Sequence, residues 1–290
     1  MARKPEKETK VVETTGHEWD GITELDNPMP RWWLWTFYLT IIWGIGYTIA
    51  YPAWPLLNGA TPGLLGYSSR AEVAKDIAAV DAANAPLNDK IVSLDLATIA
   101  GDSEVGNYAI SAGGAVFRTF CIQCHGSGAA GSAGYPNLRD DDWLWGGDIE
   151  TIYTTISHGI RADEDEDTRL SEMPAFGDDY LSKVEIAQAA QFVLSLTGRA
   201  TDATLVEGGA VVFEDNCSAC HGSDGLGDKF VGAPNLADAI WLYGGDLETV
   251  TETITNSRGG VMPAWSAAGR LNEAQLRQVA VYVHELGGGE

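Results

Sequence analysis

Four cysteines in 290 residues are too few to staple a chain of this size as a disulfide scaffold. Basic side chains are scarce as well. Eighteen Lys+Arg stand against 41 Asp+Glu, a formal net charge of -23 and a pI near 4.4. A surface that acidic is repelled by phosphate backbones, which argues against DNA and RNA as partners. Charge of either sign is missing from the 38 positions between Arg31 and Arg70. Methionine occurs four times, and only Met173 and Met262 lie beyond that uncharged run. Apolar residues, in contrast, make up 45% of the chain against 20% charged, which argues against disorder over most of its length. The length and mass, 290 residues and 31.0 kDa, leave room for one membrane segment and two small domains.

The uncharged run contains WWLWTFYLTIIWGIGYTIA, from Trp32 to Ala50. Nineteen residues rising ~1.5 Å each span ~28 Å, close to the hydrocarbon thickness of a bilayer. Trp32, Trp33 and Trp35 stand at one end and Tyr47, Tyr51 and Trp54 at the other, as interfacial aromatic belts require. Pro52 and Pro55 end the helix. A cleaved signal peptide needs a short basic start and a small-residue cleavage site, whereas here a polar 31-residue segment comes first and YPAWPLL follows. A buried soluble helix would carry fewer Trp and a polar face. The expectation is a single transmembrane helix and its exit over 32–57. Arg3, Lys4, Lys7, Lys10 and Arg31 precede it, and the next basic residue is Arg70, so the positive-inside rule places segment 1–31 in the cytoplasm.

Beyond the membrane segment the chain repeats itself. Cys121-Ile122-Gln123-Cys124-His125-Gly126 recurs as Cys217-Ser218-Ala219-Cys220-His221-Gly222, 96 positions later, and Phe117 matches Phe213 at that offset. Pro136-Asn137-Leu138 matches Pro234-Asn235-Leu236, and Trp143 with Gly146-Gly147-Asp148 matches Trp241 with Gly244-Gly245-Asp246, at offset 98. Met173-Pro174-Ala175-Phe176 matches Met262-Pro263-Ala264-Trp265 at offset 89, so the first copy carries a nine-residue insertion that is mostly the acidic run Asp163–Asp167. Each copy closes with an amphipathic helix. Ser182 with Glu185, and Asn272 with Gln275, read as capping boxes, with Leu181/Ile186 and Leu271/Leu276 as hydrophobic staples. The repeat divides the chain into copies at 108–199 and 200–290, behind a linker at 58–107 with one or two short helices, one of them starting at Ser69.

Cys-x-x-Cys-His is the attachment signature of c-type haem: two thiols reach the two vinyl groups on one porphyrin edge, and the adjacent His meets the iron. Zinc modules space their CxxC pairs by ~12–20 residues, not by 96. A zinc deaminase needs a His-x-Glu partner and a Pro before the first Cys, where Phe120 and Asn216 stand here. A thioredoxin-like dithiol needs a βαβ context that this helix-and-loop sequence does not have. Two covalent haems are therefore expected, on Cys121 and Cys124 and on Cys217 and Cys220, with His125 and His221 as iron ligands. Met173 and Met262, at equivalent repeat positions, are the expected sixth ligands, and a thioether ligand raises haem potential. The repeat alone leaves open whether each Met serves its own copy's iron or the other's. His158 competes for the first haem, but Asn256 holds its repeat position, so a surface or supporting role fits it better. His284 falls among core positions of the last helix, and His17 precedes the membrane segment. Pro136 and Pro234 stand where a backbone carbonyl can accept the N–H of the iron-binding His.

Each copy resembles a class I cytochrome c domain, the second, CSACHGSDGLGDKFVGAPNL, more closely. The whole chain resembles the membrane-anchored dihaem subunit (subunit III, CcoP/FixP type) of cbb3-type cytochrome c oxidases. The specific stretch is HEWDGITELDNPMPRWWLWTFY, from His17 to Tyr38, followed by GYTIAYPAWP. The resemblance implies a mainly α fold, with one N-terminal transmembrane helix followed by two cytochrome c domains in tandem. It further implies an electron-entry subunit that takes electrons from a soluble cytochrome c or a cytochrome bc complex. They would pass to a monohaem cytochrome c subunit and on to the haem–copper subunit that reduces dioxygen. With two protein ligands on each iron, no position is open for substrate chemistry, so the chain is not expected to be an enzyme by itself. Haem attachment takes place on the outer side of the bacterial inner membrane, in agreement with a cytoplasmic N-terminus and periplasmic haem domains. A dihaem peroxidase would need one iron with a missing or displaceable Met. A membrane cytochrome serving a dehydrogenase would not share the HEWDGITELDNP stretch.

Overall fold

The computed structural model describes residues 12–289. Arg3, Lys4, Lys7 and Lys10, which enter the charge argument for orientation, lie outside the described residues. The chain divides at Ala82/Ala83 into two compact units.

The first unit opens with an antiparallel hairpin, β1 (Thr14–Trp19) and β2 (Ile22–Leu25), with Trp19 opposite Ile22. Asp20 and Gly21 both take positive φ, 49° and 84°, the backbone that a two-residue Asp-Gly hairpin turn needs. Helix α1 (Arg31–Ala50) follows, with no residue buried. It is the one helix among the described residues long and apolar enough to cross a membrane. Its end is tied off by the chain itself. After a small hairpin of β3 (Pro55–Leu56) and β4 (Gly59–Ala60), the Leu64 and Leu65 amides donate to the Ile49 and Ala50 carbonyls at 2.9 and 3.0 Å. These are carbonyls that a helix terminus leaves unpaired.

The expected linker with short helices is instead one 25-residue helix, α2 (Ser69–Ser93). The stretch 71–85 is rich in alanine, the strongest helix former, and the Ser68 hydroxyl accepts the Ala71 amide at its start. Its last turns are part of the second unit's core: Ile91 is fully buried with Leu96, Ile99, Val105 and Val281. Asn88 accepts from both the Tyr108 hydroxyl and the Gln278 amide at 2.9 and 2.8 Å. Lys90 bridges Asp102 and Glu104, which holds the Asp102 carboxyl down at about 2.

The second unit contains α3 (Gly106–Phe120), α4 (Ile122–His125), α5 (Ile149–His158), α6 (Lys183–Ser195), α7 (Val206–Asn216), α8 (Ser218–His221), α9 (Leu247–Asn256) and α10 (Glu273–His284). Both capping boxes form: Ser182 and Glu185 exchange side-chain and backbone bonds, and so do Asn272 and Gln275. The packing does not follow the division at 199/200. Helix α3 packs on α10, the last helix of the other copy, and α7 packs on α6. At the two crossings a glycine admits the partner backbone. A Cβ on Gly113 would stand 2.0 Å from the Gln278 carbonyl oxygen, and one on Gly209 2.0 Å from that of Gln188. Two hydrophobic cores result. One joins Val116, Phe117, Ile152 and Ile156 to Leu276, Val279 and Val283. The other is built wholly from 173–254, joining Ile186, Ala190 and Val193 to Phe213, Val250 and Ile254. Burying Phe117 and Phe213, each 1% exposed, stabilises its core by about 1.5–3 kcal/mol.

Candidate functional site

Each CxxCH motif sits at the same kind of joint. A long helix ends at Cys121 or Cys217, and a one-turn helix, α4 or α8, carries the second Cys and the His. The turn closes on Gly126 or Gly222 at φ 78° or 75°, left-handed conformations that glycine takes without strain. The His125 and His221 amides donate to the Cys121 and Cys217 carbonyls, both at 3.0 Å. This brings each His and its two thiols together on one short turn.

A proline carbonyl faces each imidazole. His125 Nδ1 lies 3.2 Å from the Pro136 carbonyl oxygen and His221 Nδ1 lies 3.1 Å from that of Pro234. A carbonyl only accepts, so Nδ1 carries the hydrogen and Nε2 is left with its lone pair, the form in which His binds a metal. Burial pushes both pKa values down, against the opposing pull of the proline carbonyls, which favours the neutral ring. Burial, with the neighbouring thiol second, pushes Cys121 and Cys217 up to about 11. Cys124 and Cys220 are exposed, and all four cysteines are free.

The methionines cross over. Met262 packs with Cys121, Leu138 and Trp143 on the core built around Phe117. Met173 packs with Cys217, Leu236 and Trp241 on the core built around Phe213. The structure therefore brings together Cys121, Cys124, His125, Pro136 and Met262, and separately Cys217, Cys220, His221, Pro234 and Met173. Backbone contacts hold each crossed segment. Met262 and Ile160 exchange both amide–carbonyl bonds at 2.9 and 3.0 Å, and the Ser257 hydroxyl donates to the Met173 carbonyl at 2.6 Å. His158 is engaged elsewhere: its Nδ1 is 3.1 Å from Asp165 Oδ2, inside the loop formed by the acidic insertion.

Sequence reasoning passed over the residues that seat the methionines. Gly159 and Ser257 are equivalent at offset 98, and each touches the carbonyl of a Met from the opposite copy. The matched pair Gly113 and Gly209, at offset 96, was a readable sign of close helix crossings. Trp241 also fits a bound group. Its indole N–H is buried without a hydrogen-bond partner in the core that holds Cys217 and Met173, and native proteins seldom leave such a donor unpaired. Two free thiols, a lone-pair imidazole nitrogen, a thioether and an orphaned indole donor are a donor set that suits a covalently attached haem.

Tandem helical units of this construction behind one apolar helix define a membrane-anchored c-type cytochrome. Comparison with known proteins makes the family specific. The family model for the N-terminal domain of cytochrome oxidase-cbb3, FixP, matches residues 11–58. The model for cytochrome c oxidase, cbb3-type, subunit III, matches 109–193 and 204–283. The cbb3-type cytochrome c oxidase subunit CcoP of Cereibacter sphaeroides is 61% identical over 292 residues, covering all of both chains. The CcoP subunit of Rhodobacter capsulatus is 55% identical over 298 residues, again covering all of both chains. The FixP subunit of Rhizobium meliloti is 54% identical over 283 residues, 98% of this chain and 97% of that one. The chain belongs to the CcoP/FixP family: it is a cytochrome c subunit of a cbb3-type oxidase, with covalently bound haem c.

Proposed function

We propose that the chain carries two haems c and relays electrons from a cytochrome c, or from a cytochrome bc complex, toward the haem–copper core of the oxidase. Cys121 and Cys124 hold one haem, with His125 and Met262 on its iron. Cys217 and Cys220 hold the other, with His221 and Met173. The bound haems supply one-electron exchange without bond making. The residues around them do the rest. Pro136 and Pro234 fix the imidazole tautomers and orientations, Gly159 and Ser257 seat the methionine segments, and the two apolar cores exclude water from one face of each site. The observation that carries this reading is that each CxxCH motif meets one Met and a His with Nε2 free. Two protein ligands per iron favour electron transfer over the peroxidase reading, which needs an open position.

The membrane placement follows from the same reading. Helix α1 is a single-pass anchor in the bacterial inner membrane with segment 1–31 in the cytoplasm and the haem-bearing units in the periplasm. The partners are the catalytic haem–copper subunit and the monohaem cytochrome c subunit. Haem counting on the denatured chain tests the core of the proposal, because thioether-linked haem survives denaturation and acid–acetone extraction. Two haems per chain are expected, and one after Cys121→Ala with Cys124→Ala. A single covalent haem in the unaltered chain overturns it.

A further inference from the structure

The two CxxCH faces differ in a way that their shared scaffold does not require. Along the segment of the second motif the exposed positions Glu214, Asp215 and Asp224 and the partly buried Asp228 are acidic, with the exposed Lys229 the one Lys or Arg among them. The first copy has Arg118, Thr119, Gly128 and Ser132 at the four equivalent positions. The loop between His and Pro differs too. In the first copy a short turn is closed by mutual backbone bonds between Ser132 and Tyr135. In the second it is two residues longer and closed between Asp228 and Ala233, both bonds at 3.0 Å, with the Asp228 carboxylate accepting the Phe230 amide at 2.8 Å. This tied turn carries Phe230 at its tip, 93% exposed, beside Leu226 at 58% and Val231 at 38%. A large aromatic held out in water by a well-bonded turn has no role in the core.

We infer that this face, an apolar knob of Phe230, Leu226 and Val231 on the predominantly acidic segment that carries the second CxxCH motif, is the docking site of a basic electron-carrier cytochrome. The inference rests on the electron-relay reading and adds to it that electrons enter at the haem on Cys217 and Cys220. Charge complementarity selects the occupant. A net negative segment attracts a carrier whose own haem edge is ringed by lysine, and the first copy has Arg118 in place of Glu214 and no acid at the other three equivalent positions. Size selects a transient visitor. Permanent subunit interfaces are large and strongly apolar, whereas electron-transfer encounters are small and use a short apolar centre inside a charged rim.

The test uses the purified whole oxidase and stopped-flow oxidation of a reduced, lysine-rich mitochondrial-type cytochrome c, with a small uncharged reductant in parallel. Neutralising Glu214→Gln, Asp215→Asn and Asp224→Asn together is expected to slow the second-order rate with the cytochrome about tenfold at low ionic strength, the scale of electrostatic steering. The loss is expected to fade near 0.15 M salt, where charges are screened beyond ~8 Å. Phe230→Ser is expected to slow the cytochrome reaction several-fold at every salt concentration, and Phe230→Trp to retain it, with reduction by the small reagent unchanged in each. Thr119→Asn and Ser132→Asn on the first copy are expected to have no effect. Unchanged cytochrome rates in both the triple variant and Phe230→Ser, at full haem content, overturn the inference. So does loss of the subunit from the complex, which would make the knob an assembly contact. A wild-type complex whose chain lacks haem, or is not reduced by any donor, would instead refute the underlying reading.

Discussion

Gly159→Ala is the sharpest probe of the crossed methionines, because it acts on Met262 from a residue in the opposite copy. Gly159 ends α5 at φ +69°, and a Cβ there would stand 2.2 Å from the Met262 carbonyl oxygen and 2.7 Å from the Pro263 carbonyl carbon. Ordinary contact begins near 3.4 Å, so the Met262 backbone must retreat by ~1 Å, while metal–ligand distances hold to about 0.2 Å. An alanine in a left-handed conformation adds about 1–2 kcal/mol of its own. Both costs fall on the segment that Ile160 holds by paired backbone bonds. The expected outcome is a weakened or lost thioether ligand on the haem of Cys121 and Cys124 alone, seen as partial high-spin character and a lowered potential in a spectroelectrochemical titration. The haem of Cys217 and Cys220 should be unaffected. Ser257→Ala is the mirror experiment: it removes the 2.6 Å bond to the Met173 carbonyl, costs about 1 kcal/mol, and should loosen the other haem. If Gly159→Ala disturbs the second haem, or neither, the crossed ligation is refuted.

Two further outcomes follow. In a chain reduced to its first haem by Cys217→Ala and Cys220→Ala, Met262→Ala should abolish the low-spin His/Met spectrum and Met173→Ala should leave it intact; the reverse result would assign each Met to its own copy. Burial, with the Asp238, Asp140 and Asp141 charges behind it, pushes the Asp142 carboxyl up from 3.8 to about 6. The folded chain therefore binds more protons than the unfolded one between those values, and stability falls as pH rises through that window. Asp142→Asn should flatten this slope and stabilise the protein at pH 7 in urea titrations, and an unchanged slope would show that the carboxyl titrates normally.

What the sequence discloses and what it conceals divide along local and long-range information. The membrane helix, both capping boxes and the two His–Pro contacts each depend on residues close in the chain, and each is formed. The Asp20-Gly21 turn is equally local, a two-residue hairpin signal between Trp19 and Ile22. The linker helix α2 is long because nothing in 71–85 interrupts it, and Pro86 is accommodated within it. The exchange of α6 and α10 between the copies leaves no trace in the repeat. Since Met173 and Met262, and Gly113 and Gly209, are equivalent, the offsets are identical whichever copy pairs with which. Connection length breaks the tie. Only residues 196–205 separate α6 from α7, whereas α3 and α6 are separated by α4, α5 and the acidic insertion. Short closures cost less chain entropy, and antiparallel helices joined by a short link pack on each other.

That connectivity makes the two sites unequal in what they require of the chain. The core holding Cys217 and Met173 is contiguous, from 173 to 254, and is complete once α9 has formed. The core holding Cys121 is split: Phe117 and Ile152 wait for Leu276, Val279 and Val283 from the last helix, and Met262 arrives from the same late segment. A chain ended after Gly259 keeps Cys121, Cys124 and His125 but loses Met262 and the helix that covers Phe117. It keeps every residue of the second site, including the Ser257 bond to Met173. Haem should still attach at both motifs, since attachment needs only the thiols and the His. The second haem should remain low-spin with an unaltered potential, while the first becomes high-spin or weakly ligated and exposed to solvent. The optical and electron-paramagnetic spectra of the shortened chain separate the two cases. Damage confined to the second haem would restore the division at 199/200 as the true domain boundary. Damage confined to the first means that the N-terminal motif is the last to be finished, only after the final helix has been added.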